Sequence, residues 1–230
     1  MEQDQDDPLP LRIQARPGAY ACGIETIEQI LRAALTVLVE EGSRAFTLRR
    51  IAAECNMKVG NLSYYFPRKE DLVQELLESL LLGYRDMASH VLQGTANKPE
   101  ERLRRMIAFT LDDIRTKRTT NLFPELWALA NHDPKVDALV QDFYARAQRS
   151  FADAVAAVNP ALSVEDCRSV ALFISASIEG TTIFAGYGKP WETRMPTIKA
   201  LALTSLLQLV KTLQPSDLKG SRPRRTKVIA

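Results

Sequence analysis

Cysteine is nearly absent from this chain: Cys22, Cys55 and Cys167 are the three in 230 residues. Odd in number, far apart and without a Cys-x-x-Cys pair, they argue against a disulfide framework and against a zinc site. They suit a reducing cytoplasm. There are two histidines, with no activated-nucleophile pattern around them, so the sequence offers little catalytic equipment. A glycine-rich phosphate loop and metal-ligand spacing are also missing, and no cofactor is implied. No apolar run is long enough to span a bilayer. The first residues have neither a basic n-region nor an apolar h-region, so no secretory signal is expected. Strand-like alternation of useful length does not occur, and no internal repeat stands out. Net charge is scarce too, at +2.

What is present favours helix. Hydrophobic residues make up 46% of the chain and charged residues 25%, enough for an ordinary core under a polar surface. The small net charge hides an acidic head (Glu2, Asp4, Asp6, Asp7) and a basic tail (Lys219, Arg222, Arg224, Arg225, Lys227). Met1 to about Gly23 is polar, carries Pro8, Pro10 and Pro17, and reads as a flexible arm. From Glu25 an apolar stripe of Ile24, Ile27, Leu31, Leu35 and Leu38 predicts a helix closed by Gly42. Thr47 can N-cap a short helix with Leu48, Ile51, Ala52 and Cys55 inward. Asn56 supplies a residue tolerant of left-handed backbone, and a third helix over Val59–Tyr65 is stopped by Pro67. A long helix is predicted from Lys69 to about Leu92. Amphipathic segments follow over Glu100–Arg115, Leu122–Asn131, Pro134–Val158, Val164–Ala185 and Thr197–Leu213, separated by proline or glycine. The fold class is all-α, with about nine helices. An arm (1–22) precedes a helix-turn-helix unit (23–68), a larger helical domain (69–213) and a basic tail (214–230).

Two short helices joined by a tight turn and braced by a longer helix make a DNA-reading unit, the second helix entering the major groove. Between Ser43 and Lys69 six cations (Arg44, Arg49, Arg50, Lys58, Arg68, Lys69) face one anion, Glu54. Phosphate neutralisation requires such a local surplus. With Val59, Leu62 and Phe66 assigned inward, the third helix turns Gly60, Asn61, Ser63 and Tyr64 outward. Asn and Ser can hydrogen-bond base edges, Gly60 permits close backbone approach, and the hydroxyls of Tyr64 and Tyr65 can reach phosphates. Helix-turn-helix geometry also occurs as plain packing, and that alternative stands beside the DNA reading.

The stretch TLRRIAAECNMKVGNLSYYFPRKEDLVQELL resembles the DNA-binding domain of the TetR family of bacterial regulators. The preceding ILRAALTVLVEEGSRAFT resembles that family's first helix and its glycine-containing exit. The likeness covers about Ile24–Leu77 and departs at Cys55-Asn56-Met57, where a small-Gly-Val turn is usual. The resemblance implies DNA contacts at Arg49, Lys58, Gly60, Asn61, Ser63, Tyr64, Tyr65 and Lys69. Arg12 and Arg16 are candidates for a minor-groove arm. It further implies a ligand-responsive regulator, most often a repressor, which binds a palindromic double-stranded operator as a homodimer and answers to a small-molecule effector.

Independently of the resemblance, Ala200–Leu213 is apolar on nearly every face, too much so for a helix on a monomer surface. Cys167, Val170, Ile174 and Ile178 give the preceding helix an apolar stripe. With Leu203, Leu206 and Val210 they form a candidate four-helix dimer interface, the alternative being a monomer's core. Candidate pocket residues are Phe109, Phe123, Trp127, His132, Phe143 and Phe173, with Tyr144, Glu125 and Glu179 nearby in the pattern. The same aromatics would serve any helical core. The segment ELWALANHDP is similar in outline to the sensor half of the family's betaine-responsive branch; no ligand is carried over from it. Two other functions stay open: a sequence-indifferent architectural DNA binder, and an enzyme on a helical scaffold.

Overall fold

The computed structural model describes residues 11–12 and 21–218. The described residues form ten α-helices, of which nine have seven residues or more, and one short 3₁₀ helix, with no strand. The first is α1 (Ala21–Glu41), whose exit at Gly42 needs a positive φ of 80°. Next comes α2 (Leu48–Glu54), where the Thr47 side chain accepts from the Arg50 N–H, the expected N-cap. Asn56 takes φ 54° in the turn to α3 (Val59–Tyr65), the single described non-glycine residue in left-handed backbone. Asn56→Ala is therefore expected to cost about 1 kcal/mol and Asn56→Gly almost nothing, read from urea denaturation midpoints.

The remaining helices are α4 (Lys69–Val91), α5 (Pro99–Ile114), α6 (Lys117–Ala130), α7 (Pro134–Val158), α8 (Val164–Glu179), α9 (Thr181–Ala185) and α10 (Met195–Thr212). Two boundaries differ from the sequence reading. Helix α6 starts five residues before Leu122, because Thr116 accepts from the Thr119 N–H and caps a polar first turn that carries no apolar period. The segment Val164–Ala185 is two helices, interrupted at Gly180.

Two cores form. The first joins α1, α2 and α3 to α4, α6 and the start of α7. Ile51, Leu62 and Leu72 are fully buried in it, so the helix-turn-helix rests directly on the larger helical body. The second joins α5, the end of α7, α8, α9 and α10, around Leu103, Ile107, Val155, Ile174 and Val210. Asn159 fixes the end of α10 by donating from its amide to the carbonyls of Val210 (2.8 Å) and Leu213 (2.9 Å).

Leu11 and Arg12 do not behave as an arm. Leu11 is buried in the first core, and Arg12 donates its N–H to the Ser79 carbonyl and pairs with Asp86 at 2.9 Å. Asp86 is seventeen residues along α4 from Lys69, roughly 25 Å by helical rise, so Arg12 is anchored far from α3. Arg16 and the basic tail from Lys219 lie outside the described residues. Among the described residues no helix is long and apolar enough to cross a membrane.

Candidate nucleic-acid interface and inner cavity

Helix α3 is held by few side chains and presents the rest. Leu62 and Phe66 are buried, whereas Gly60, Asn61 and Tyr64 are exposed and Ser63 and Tyr65 half-buried. The two tyrosine rings meet edge to face at 5.3 Å, which props Tyr64 outward at 82% exposure. Val59, assigned inward from sequence, is 47% exposed. It is the first residue of α3, and Cα–Cβ bonds tilt toward a helix's N-terminus, so its side chain projects off the end of the packed surface. Met57, from the turn, packs against the core instead. This leaves an exposed apolar side chain on the same short helix as Asn61.

Fewer cations are free than the sequence suggests. Arg50 is held by Glu41 and by Glu54 (2.7 Å), Arg68 by Asp71 (3.0 Å), and Lys69 lies 3.8 Å from Asp133. Among the described residues, Arg44, Arg49 and Lys58 make no ion pair and are exposed. These three, rather than six, are the cations available to meet phosphate.

Behind this face lies α6, which touches the helix-turn-helix with one side and a cavity with the other. Toward α1, Lys117 pairs with Glu40 (2.6 Å), Asn121 donates to the Val39 carbonyl (3.1 Å), and the Glu125 carboxylate accepts from the Ser43 N–H (2.6 Å). Glu125 is thus a clamp on the α1 exit and not a pocket group. On the other side, Thr119 donates to Asp113 (2.7 Å), and Arg118 pairs with the same carboxylate (2.6 Å) with both side chains under 10% exposed. Tyr84 donates to Asp113 at 3.0 Å. Thr120 ties α6 to its neighbours: its hydroxyl donates to the Ile114 carbonyl and accepts from the Tyr187 N–H (2.8 Å). A Cβ on Gly186 would come within 2.5 Å of that hydroxyl, so only glycine fits there.

The cavity lined by α4, α5, α6, α7 and α8, open to solvent on one side, has a volume of about 580 Å³. Of the six aromatic and histidine candidates, it brings together Phe109, Phe123 and Phe143. Tyr84 and Tyr144 complete an aromatic wall, with the Phe123 ring tilted against those of Phe143, Tyr144 and Tyr84 at centroid distances of 5.9–6.4 Å. The other three candidates are elsewhere. Trp127 stands behind the wall and donates its indole N–H to the Tyr144 hydroxyl (3.0 Å); His132 is exposed beyond the end of α6; Phe173 is 53% exposed on the outer side of α8. Phe173 misses the cavity because Ile174 and Ile178 take the inward stripe of α8. Sequence reasoning did not select Tyr84, Asp113 or Thr119, and polar residues inside apolar stripes were the available signal. Burial pushes the phenols of Tyr84 and Tyr144 above their usual value, with the neighbouring carboxylates adding to the effect. Burial, and secondarily Asp113, raises the Glu179 carboxyl to about 7.

The expected dimer residues are corrected by burial. Cys167, Val170, Ile174, Ile178, Leu206 and Val210 are at most 5% exposed inside the chain's own second core, and Leu203 is half-buried against it. Among the described residues, the large apolar side chains of this region more than half exposed are Val164, Leu172 and Phe173 on α8, Ile183 and Phe184 on α9, Trp191 in the loop and Leu201 on α10. The stripe was read correctly as apolar but placed on the wrong side, since periodicity alone does not say what a helix faces.

Comparison with known proteins agrees with this geometry. Residues 99–214 match the profile of the BetI-type transcriptional repressor C-terminal domain, and residues 30–76 that of the bacterial regulatory proteins of the tetR family. The chain belongs to the TetR family. As a TetR-family transcriptional regulator it is 24% identical over 161 residues to the HTH-type transcriptional regulator BetI of Stenotrophomonas maltophilia, across 69% of this chain and 81% of that protein. In fold it is similar to a transcriptional regulator of Saccharomonospora viridis solved in complex with choline, with TM-score 0.63, 22% identity and coverage of 82% and 96%. It is also similar to the regulator FadR of Bacillus subtilis solved with stearoyl-CoA, with TM-score 0.62, 17% identity and coverage of 80% and 97%.

Proposed function

We propose that this TetR-family regulator is a repressor that binds a palindromic operator as a homodimer and is released when a small organic cation enters the inner cavity. The observation that carries the reading is the two-sided engagement of α6. Its Thr119 and Arg118 hold the cavity's Asp113, while its Lys117, Asn121 and Glu125 hold the end of α1. A ligand that displaces α6 therefore displaces the support of the helix-turn-helix. Release needs the ligand to favour one of two dimer conformations, and recognition helices one DNA turn apart, about 34–36 Å, are sensitive to such a shift.

The cation class is supported by an aromatic wall with a carboxylate close by, the surroundings that attract a quaternary ammonium over ring faces. The choline held by the Saccharomonospora viridis regulator is consistent with this class. The dimer is supported by the exposed apolar surface of α8, α9 and α10, larger in character than a monomer ordinarily leaves to water. On the DNA side, Asn61, Val59, Ser63 and Tyr64 carry base reading, and Arg49 and Lys58 carry phosphate contact.

Two substitutions separate those DNA roles. Asn61→Ala is expected to relax preference at one base pair by roughly 1–3 kcal/mol. Lys58→Ala is expected to weaken every duplex alike and to lower the salt slope by about one. Anisotropy titrations of matched and mismatched duplexes at several salt concentrations check both. Equal loss on all sequences from Asn61→Ala would remove it from base reading. Choline chloride added to the wild-type complex tests release: dissociation is the expected outcome, and an unmoved complex at saturating choline opposes the reading.

A further inference from the structure

The inner end of the cavity is electrically arranged in an asymmetric way. Asp113 of α5 is buried but satisfied, paired with Arg118 of α6 and accepting from Tyr84 of α4 and Thr119 of α6. That pair is neutral as a unit. Glu179, the last residue of α8, lines the same space, and among the described residues no hydrogen bond or ion pair to its carboxyl is found. The groups facing it are Asp113 from α5, Tyr144 from α7 and, beyond Tyr144, Tyr84 from α4; Arg118 reaches Asp113 through one guanidinium nitrogen. The C-terminal carbonyls of α8 add partial negative charge beside it. The other charged lining groups, Glu78, Arg85, Arg146 and Arg149, sit on the α4 and α7 sides. There Arg146 is held by Glu78 and Asp142, and Arg85 and Arg149 are solvent-exposed.

An unpartnered carboxyl in such a place is best neutral when the cavity holds no ligand. It is best ionised when a positive charge arrives over the aromatic wall.

We propose that Glu179 is the counter-ion of the effector's cationic group, and that it takes this role by releasing its proton as the ligand enters. The inference rests on the proposed reading of the cavity as the effector site. In the step, the O–H bond of the Glu179 carboxyl breaks, the proton passes to solvent buffer, and the carboxylate left behind balances the ligand's single positive charge. The net charge of the cavity is the same before and after. A neutral ligand of the same shape has no such step available, so Glu179 discriminates cations from their uncharged isosteres.

The pH dependence has a definite sign. The ligand binds the ionised form, so affinity is full above the raised value of about 7 and falls as pH drops below it. Between about pH 8 and about pH 6 the loss is roughly tenfold, with about 0.9 proton released per site at the lower pH and about 0.1 at the higher.

Isothermal titration calorimetry of the full-length protein with choline chloride tests this, run at both pH values in two buffers of different ionisation enthalpy. The expected result is proton release and a tenfold weakening at the lower pH. Glu179→Gln, which mimics the protonated carboxyl in size and charge, should bind choline at least tenfold more weakly, with no pH dependence. The carbon isostere of choline, with tert-butyl in place of trimethylammonium, should bind the wild type without proton release. Choline binding that is independent of pH and releases no proton overturns the role of Glu179 while leaving a cation-binding cavity intact. Absence of choline binding at either pH by folded wild-type protein overturns the cation reading and this inference with it. If Glu179→Gln fails to fold, proton release measured on the wild type decides the matter alone.

Discussion

Arg118→Met is expected to cost about 3–5 kcal/mol of folding stability. The reason is what the change leaves behind rather than what it removes. Asp113 would keep its charge in a site where less than a tenth of its side chain is exposed. Its remaining donors would be the hydroxyls of Tyr84 and Thr119. Neutralising the partner as well, in Asp113→Asn/Arg118→Met, should recover more than half of the loss, because the amide oxygen still accepts from the hydroxyls. Urea denaturation of the two variants against wild type is the check. A loss below about 1 kcal/mol for Arg118→Met would mean that the pair is not what holds α5 to α6.

Phe173→Glu is expected to separate the proposed dimer and to lower operator affinity by at least about 100-fold, since each recognition helix then binds without the gain from a linked second half-site. Phe173 is 53% exposed and outside both cores, as are its chain neighbour Leu172 and, on α9, Ile183 and Phe184. A carboxylate there is harmless to a monomer and costly to an apolar contact. Sedimentation should report a single folded chain with unchanged helical content, and anisotropy should report weak binding of full operator and half-site alike. A Phe173→Glu protein that stays dimeric and binds normally would move the interface away from this face. Val170→Ala makes a useful contrast. It trims a buried side chain of the second core and should cost stability, on the order of 1–3 kcal/mol, without separating the subunits directly.

Much of this molecule was legible in the sequence, and the remainder failed for identifiable reasons. Local chemistry carried the helix-turn-helix: a Thr47 cap, an Asn56 turn at positive φ and a Pro67 stop are all properties of single residues, and each is found where expected. The start of α7 at Pro134 is of the same kind, with Asp133 capping through its side chain. What could not be read was the partner of each stripe. Cys167, Val170, Ile174 and Ile178 form one apolar line, but whether it meets another chain or α5 and α7 of the same chain is a tertiary fact. Charge counting failed similarly, because Glu41 and Asp71, which engage Arg50 and Arg68, lie outside the counted segment. The cavity was half legible. Aromatic residues pointed to Phe109, Phe123 and Phe143, whereas Tyr84, Asp113 and Thr119 converge from three helices and share no sequence pattern.

The central claim is that one molecule couples a DNA-reading helix to an occupied or empty cavity through α6. A DNase footprint on the region upstream of the protein's own gene, repeated with increasing choline chloride at physiological salt, tests it most directly. The expected result is protection of a two-fold symmetric site, with half-sites one helical turn apart, that fades as choline rises. Uniform binding to that region and to random DNA, or a symmetric footprint that no concentration of choline alters, would contradict it.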